Sequence, residues 1–161
     1  MVTQELLTQF IHEFKDQNPL SRLSIIVTRN EKAEILQDFS DNASNVLTLA
    51  NDELDGNPSY QNALELAKAQ IKMSVPDYAH KEVLVINSSI TVCDPQDIDE
   101  TIEALKLENI VCSTISLSAK VFILDHLTKM TNGRFFLVKD KEHYEVVLQK
   151  YLVPQFSIQE I

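Results

Sequence analysis

Three hydroxyl side chains and one carboxylate follow an apolar run in the middle of the chain. Ser88, Ser89, Thr91 and Asp94 come directly after Val83–Ile86. Their oxygens are of the kind that bind Mg²⁺, and a serine hydroxyl becomes a nucleophile when a histidine lies within hydrogen-bond reach. The apolar run is typical of a strand buried on both faces, and ligands and partners meet α/β folds at the carboxyl ends of such strands. The segment could therefore be a metal site, a catalytic pocket or a docking surface.

The sequence supplies no complete set of partners for catalysis. Each of the four histidines is isolated on or beside a predicted helix, where a solvated role is the ordinary one: His12, His80, His126 and His143. No Cys/His pair has the spacing of zinc ligands. With only two glycines, the chain has neither a phosphate-binding glycine loop nor a GxSxG turn. A hydrolase that uses Ser88 or Ser89 would need a histidine brought near by the fold, and we predict no catalytic residue, no metal and no cofactor.

Asp94 has two possible roles. With the neighbouring hydroxyls it could hold Mg²⁺, although a single carboxylate makes a weak site. Followed by Pro95, it could instead cap a helix, while Ser88, Ser89 and Thr91 bond to the loop backbone. The second role is the commoner one for these residue types.

Composition limits the kind of partner. The chain has 161 residues, which fits one domain over 1–161, and 24 acidic against 14 basic residues give a net charge of −10. This charge disfavours direct contact with nucleic acid and favours a protein or another basic surface. The two cysteines, Cys93 and Cys112, make no disulfide framework, so we expect reduced thiols. We expect both side chains to pack as small apolar groups. No apolar run approaches the ~20 residues that a membrane span needs.

Hydrophobic periodicity predicts strands that alternate with helices, after an N-terminal helix that carries Leu6, Phe10 and Phe14. The predicted strands are Leu23–Thr28, an edge strand Lys32–Gln37, Val83–Asn87, Ile110–Leu117 and Arg134–Val138. The predicted helices are Ser44–Glu53, Pro58–Met73, Pro95–Leu107, Ala119–Met130 and Lys141–Leu152. Core packing is expected for the aromatic residues Tyr60, Phe122, Phe135, Phe136 and Tyr144. This order predicts parallel strands joined by right-handed helical crossovers in a three-layer α/β/α sandwich.

Several segments, in order and with matching spacing, resemble one known family. They are DQNPLSRLSIIVTRNEKAEIL (Asp16–Leu36), GNPSYQNALELA (Gly56–Ala67), EVLVINSSITVCDPQDI (Glu82–Ile98) and ISLSAKV (Ile115–Val121). The family is the von Willebrand A-like domain of the TFIIH core subunit that pairs with the XPD-type helicase, the forty-four-kilodalton subunit. The resemblance implies a mostly parallel sheet with an antiparallel edge.

The resemblance also implies a non-catalytic, nuclear role. In this family the domain binds and stimulates the XPD-type DNA helicase, in nucleotide excision repair and in transcription by RNA polymerase II, beside other TFIIH core subunits. The helicase-binding loop carried over to this chain consists of Ser88, Ser89, Ile90, Thr91, Val92, Cys93 and Asp94. Ile90 and Val92 could be exposed anchors or could fold back into the core. The alternatives are a Mg²⁺-dependent ligand-binding von Willebrand A domain and another von Willebrand A-like interaction scaffold.

The chain departs from the family pattern in three places. The fold normally starts with a central strand before the first helix, with a DxSxS motif in metal-binding members, and this chain begins at the helix without that motif. We therefore expect a gap in the sheet between the strands Leu23–Thr28 and Val83–Asn87. The C-terminal zinc modules of the family are absent, so their contacts are not carried over. Ser116 stands where the family commonly has glycine.

Overall fold

The computed structural model describes residues 2–39, 56–91, 94 and 97–153, with side chains from residue 5 onward. The helices are α1 (Val2–Gln17), α2 (Tyr60–Ser74), α3 (Ile98–Leu107), α4 (Phe122–Met130) and α5 (Lys141–Lys150). The strands are β1 (Ile25–Arg29), β2 (Lys32–Gln37), β3 (Glu82–Asn87), β4 (Val111–Ser116) and β5 (Phe135–Leu137). The predicted helix Ser44–Glu53 lies outside the described residues. Within them, no helix is long and apolar enough to cross a membrane.

Two apolar clusters place helices on both faces of the strands. One cluster joins α1 and α5 to Ile115 of β4, with Ile25 and Val27 of β1 and Leu84 of β3 packed against it. The other joins α2, α3 and α4 to the opposite face of β3 and β4. The predicted three-layer α/β/α sandwich is therefore confirmed.

The described strands form two sheets. β1 and β2 pair in antiparallel fashion, as expected for an edge, and β3, β4 and β5 pair in parallel in that order. Between the described residues of β1 and β3 there is no ladder of hydrogen bonds, and the expected gap lies at this place.

Two predicted helix starts are wrong. Proline at 95 suggested a start there, but α3 begins at Ile98, because the side chain of Asp97 accepts a hydrogen bond from the Asp99 N–H and acts as the N-cap. The helix predicted from Ala119 begins at Phe122, and its N-cap residue Val121 makes no side-chain cap bond.

The expectation of core packing holds for Tyr60 and Tyr144, which are buried, and is wrong for Phe122, which is 80% exposed at the start of α4. Phe135 and Phe136 of β5 are half-buried against opposite faces of the sheet. Cys112 is fully buried in β4, and burial raises the pKa of its thiol to about 12, as expected for a packing residue.

Candidate functional site

The segment after β3 continues directly from a buried asparagine. Asn87 is the last residue of β3 and is 4% exposed. Its side-chain amide donates to the Ser89 carbonyl oxygen (2.8 Å), and its Oδ1 accepts from the Ser89 N–H (3.2 Å). An asparagine that bonds to the backbone two residues on stabilises a tight turn. The chain therefore leaves the sheet abruptly at Ser88.

The hydroxyls of Ser89 and Thr91 make hydrogen bonds within the segment and to the segment that leads into α2. Ser89 Oγ donates to the Thr91 carbonyl oxygen (2.9 Å) and accepts from the Thr91 N–H (3.3 Å). Thr91 Oγ1 donates to Asn57 Oδ1 (2.8 Å), in the segment that leads into α2. These bonds fit the expectation that the hydroxyls satisfy loop groups, and they tie the loop to a neighbouring element.

Asp94 caps α2, whereas the Asp94-Pro95 pair predicted that it would cap the helix that follows it in the sequence. Its Oδ1 accepts from Ser59 Oγ (3.0 Å) and from the backbone N–H of Gln61 (3.0 Å), at the first turn of α2. Ser59 is itself the N-cap of α2 and accepts from the Asn62 N–H (3.2 Å). A carboxylate at a helix N-terminus satisfies free N–H groups and interacts favourably with the helix dipole. The expectation that Asp94 caps the helix that follows it is therefore wrong, since Asp97 has that role.

Tyr60 connects the two sides of this arrangement. Its hydroxyl donates to Asn87 Oδ1 (2.7 Å), so the first residue of α2 bonds to the last residue of β3. Burial raises the pKa of Tyr60 to about 12, and the nearby carboxylate of Asp94 adds to the effect. The Tyr60 hydroxyl therefore stays protonated and keeps donating across the neutral pH range.

Ile90 projects from the tip of this bonded loop. Its side chain is 72% exposed, while Ser89 on one side of it is half-buried and hydrogen-bonded. Of the two possibilities for Ile90, exposure is correct and folding back into the core is wrong. Ser88 is exposed as well. Val92 and Cys93 lie outside the described residues, and the prediction for them stays a prediction.

The exit of the neighbouring strand lies beside this loop. The Leu117 N–H donates to the Asn87 carbonyl oxygen (2.8 Å), and Ser116 Oγ donates to the Ala119 carbonyl oxygen (2.5 Å). Beyond that turn, Phe122 is exposed and stacks on His126, with ring centroids 6.3 Å apart and 5° between the planes. Exposed apolar side chains therefore follow the carboxyl ends of two adjacent strands, Ile90 after β3 and Phe122 after β4, and Leu137 at the end of β5 is exposed as well. We call this region, residues 88–91 with Phe122, the strand-exit surface.

Three of the histidines in the described part of the chain each contact a neighbouring group. His80 faces Glu82 (3.5 Å), His126 faces Asp99 (3.8 Å), and His143 Nδ1 accepts from the Lys139 N–H. In the part of the chain that the structure describes, no three histidine, cysteine or acidic side chains are arranged to hold a metal ion. What the described segment offers is a fixed surface with an apolar tip.

Sequence reasoning identified the loop but not the residues that fix it. Asn57, Ser59 and Tyr60 lie some thirty residues earlier and reach the loop only through the fold. Asn87 had a visible signal, because an asparagine at the end of an apolar run is typical of a turn. Phe122 had a weaker one, because it is the first residue of α4, whose buried residues begin at Leu124.

The amino-acid sequence matches a family model described as Ssl1-like over residues 1–161. It is 42% identical over 151 residues to general transcription factor IIH subunit 2 of Dictyostelium discoideum, which covers 92% of this chain and 32% of that protein. It is 33% identical over 153 residues to general transcription and DNA repair factor IIH subunit ssl1 of Schizosaccharomyces pombe, covering 91% of this chain and 36% of that protein. The chain thus spans about a third of the length of these curated relatives.

The fold is similar to the folds of several solved structures. The von Willebrand A domain of SpRpn10 superposes with a TM-score of 0.73 at 11% identity, over 94% of this chain and 83% of that one. The TFIIH p34 N-terminal domain superposes with a TM-score of 0.67 at 17% identity, over 89% and 83%. At such identities the likeness concerns the fold alone, which is von Willebrand A-like. Because the family model matches the whole sequence, the chain belongs to the Ssl1-like family.

Proposed function

We propose that this chain is the helicase-binding domain of a TFIIH subunit. It binds an XPD-type DNA helicase and stimulates it without catalysing a reaction itself, in transcription by RNA polymerase II and in nucleotide excision repair in the nucleus. Other TFIIH core subunits are its further partners. The proposal takes its starting point from the relatives, which are named as subunits of factor IIH.

The observation that carries the proposal is the exposure of Ile90 on a loop held by hydrogen bonds. An exposed apolar side chain costs little entropy to dock when its backbone is already fixed. The Asn87, Thr91 and Asp94 bonds supply that fixation. Contacts of this type, an apolar anchor with hydroxyls and amides around it, are typical of the energetic centre of a protein interface.

Charge supports a protein partner of basic character. The first turn of α3, which follows the loop, carries Asp99 and Glu100, both exposed. They belong to a chain whose net charge is −10. Complementary charge at the rim of an interface speeds association more than it raises affinity, so we expect the association rate to fall as salt rises.

The experiment compares Ile90→Ala with Leu107→Ala in binding to a purified XPD-type helicase. Leu107 is a matched control, because it is also an exposed apolar residue (79% against 72%) but lies at the far end of α3, next to the amino ends of the strands. We expect Ile90→Ala to weaken binding by about tenfold or more, and Leu107→Ala to leave it within about twofold. The readouts are calorimetric affinity and the DNA-dependent ATPase rate of the helicase.

A second variant tests the loop even if the Ile90 side chain alone contributes little to the binding free energy. Thr91→Arg places a bulky charge beside Ile90 and should abolish both binding and stimulation. Equal affinity for wild type, Ile90→Ala and Thr91→Arg would contradict the assignment of the contact to this loop. A wild-type chain that binds no helicase would overturn the proposed function.

A further inference from the structure

Three exposed apolar side chains lie at the end of the sheet opposite the strand-exit surface. Met73 is the penultimate residue of α2, Tyr78 lies between α2 and β3, and Leu107 is the last residue of α3. Their exposed fractions are 87%, 93% and 79%. Because α2 and α3 run from the carboxyl ends of the strands back to strand starts, all three lie at the amino edge of the sheet. Single exposed apolar residues are ordinary on a protein surface, but a group of large ones is typical of an interaction site.

A groove of about 390 Å³ opens at this edge, and each of the three apolar residues is next in sequence to a residue that lines it. The lining residues are Lys72, Asp77, Ala79, Lys81, Glu108 and Asn109. We call these six residues, together with Met73, Tyr78 and Leu107, the amino-edge groove. Pockets that hold small molecules have volumes of about 300–1,000 Å³, so this groove has room for side chains of a partner.

Backbone hydrogen bonds fix the walls of the groove. The Val111 N–H at the start of β4 donates to the Lys81 carbonyl oxygen (3.1 Å), which joins the two walls. The wall after α3 is a left-handed helix ending, in which Asn109 has a φ of 56° and the Ile110 N–H donates to the Leu105 carbonyl oxygen (3.0 Å). A surface whose backbone is already fixed loses little conformational entropy when a partner binds.

The amino edge differs in charge from the rest of the chain. Its segments carry seven lysine and arginine residues and four acidic ones, although the whole chain has a net charge of −10. These segments are 15–24, 71–82, 106–111, 131–134 and 149–153. A lysine in the last turn of a helix offsets the helix dipole, which accounts for Lys72 and Lys106, but Arg22 and Lys81 lie outside the helices. The amino edge is therefore suited to a partner with negative charge.

The lysines of this edge have no carboxylate partner that a ligand would have to displace. Among the described residues, Lys72, Lys81 and Lys106 make no ion pair, whereas Lys129 lies 2.9 Å from Asp125. An acidic partner would therefore gain new charge contacts at the groove, and complementary charge of this kind speeds association.

The composition of the groove favours a protein segment over nucleic acid. Asp77 and Glu108 line it beside the lysines, and their carboxylates would repel a phosphate backbone. The same carboxylates can accept hydrogen bonds from peptide N–H groups. Single-stranded nucleic acid binds on aromatic stacking platforms, but Met73 and Leu107 are aliphatic. The occupant therefore needs acidic side chains for the lysines and apolar side chains for the exposed apolar residues.

We propose that the amino-edge groove binds an acidic segment of another protein, in which leucine or phenylalanine residues stand between aspartates and glutamates. The carboxylates of this segment face the lysines, and its apolar side chains contact Met73, Tyr78 and Leu107. The groove and Ile90 lie at opposite edges of the sheet, so this partner and a helicase can bind at the same time. The inference goes beyond the proposed function and does not depend on it, because it rests on a different surface of the chain.

The test measures how the full 161-residue chain binds a synthetic peptide that alternates aspartate and glutamate with leucine and phenylalanine. Calorimetry gives the affinity, and backbone amide chemical shifts locate the contact, which we expect at the amino-edge groove. The double variant Lys72→Glu, Lys81→Glu should weaken binding by at least about tenfold. The matched control, Lys139→Glu with Lys141→Glu, changes the net charge equally at two exposed lysines of the carboxyl edge and should stay within about twofold of wild type.

A further variant tests the apolar part of the contact. Tyr78→Ala removes a side chain that is 93% exposed, so the fold should keep its melting temperature while peptide binding weakens by at least about fivefold. A peptide with serine in place of leucine and phenylalanine should bind wild type as weakly as the original peptide binds this variant. Because the peptide is the sole ligand, the result is independent of helicase affinity.

Three outcomes would overturn the proposal. The first is a peptide that shifts no groove amide at millimolar concentration, or that binds the Lys72→Glu, Lys81→Glu variant as tightly as its control. The second is a single-stranded oligonucleotide of equal charge that binds the same residues more tightly than the peptide does, since the groove would then be a nucleic-acid site. The third is self-association in sedimentation that this double variant abolishes, because the occupant would then be a second copy of the chain.

Discussion

At the scale of single residues, the conformation of the segment after β3 is determined by side chains that bond to its backbone. Asn87 bonds to Ser89 and receives the hydroxyl of Tyr60, and Asp94 receives two donors from the start of α2. The carboxylate that suggested a metal ligand thus serves as a cap between elements. Its cost of burial is offset because both donors lie at a helix N-terminus, where negative charge is stabilised.

Removing the Asp94 carboxylate should destabilise the fold. We expect Asp94→Ala to lower the free energy of unfolding by about 1–2 kcal/mol, the range for loss of a helix cap. Asp94→Asn, which keeps an acceptor oxygen, should cost less. The measurement is urea unfolding followed by circular dichroism. Asp77→Ala is the control, because Asp77 is an exposed acid in a turn and such changes stay within about 0.5 kcal/mol. A cost for Asp94→Ala no larger than for Asp77→Ala would refute the capping role.

At the scale of elements, the end of α4 and the start of β4 are joined through backbone contacts. Thr131 Oγ1 accepts from the Cys112 N–H (3.0 Å) and donates to the Leu127 carbonyl oxygen (2.9 Å). Asn132 has a φ of 61°, and the Gly133 N–H donates to the Thr128 carbonyl oxygen (2.8 Å). This is the left-handed ending that Asn-Gly predicts for a helix. The position that requires glycine for space is Gly133, because a Cβ there would overlap the Cys112 carbonyl.

Substituting Gly133 tests that close approach. Gly133→Ala should lower the free energy of unfolding by about 2–3 kcal/mol, because β4 backbone, unlike a flexible side chain, cannot move aside cheaply. The corresponding fall in melting temperature is roughly 5–10 °C for a chain of this size. Asn132→Gly is the matched control next door and should change stability by less than about 0.5 kcal/mol, since glycine accepts a positive φ. Similar melting temperatures for Gly133→Ala and wild type would show that β4 and α4 do not meet as described.

At the scale of the whole molecule, the two helix layers bury tyrosines on both faces of the strands. Tyr60 lies in the α2 layer, and Tyr144 and Tyr151 lie in the α5 layer. Burial raises the pKa of Tyr60 and of Tyr144 to about 12 and also raises that of Tyr151. In the unfolded chain these hydroxyls titrate near 10. The stability that this difference contributes is fully present below pH 10 and is lost as pH rises towards 12, because the unfolded state then binds fewer protons.

Tyr144→Phe isolates one of these contributions. The Tyr144 hydroxyl is buried and has no hydrogen-bond partner among the described residues, so phenylalanine should fit without loss at pH 8. Between pH 10 and 12 we expect unfolding free energy to fall less steeply in the variant, by about 1.4 kcal/mol per pH unit. Denaturant unfolding at pH 8, 10 and 11 measures this slope. An identical slope in wild type and variant would mean that Tyr144 is accessible to water in the folded state.

The sequence by itself determined the elements and the location of the loop. Local periodicity acts over a few residues, so the parallel strands Glu82–Asn87 and Val111–Ser116, the edge pair and the layered fold could be predicted from it. The same holds for the Asn-Gly helix end. Family resemblance added the expectation of a sheet with a gap, which matches the two separate sheets.

Only the tertiary structure decided what the loop residues do. Asp94 caps α2 and not α3, because the fold brings the start of α2, over thirty residues earlier in the chain, within 3.0 Å of its carboxylate. A contact between residues so far apart in the sequence leaves no local pattern from which it could be predicted. Phe122 and Ile90 are exposed because the burial of a side chain depends on which elements pack over it. The pairing of β3 is also a property of the sheet: its apolar run predicts burial on both faces, and among the described strands it pairs with β4 alone.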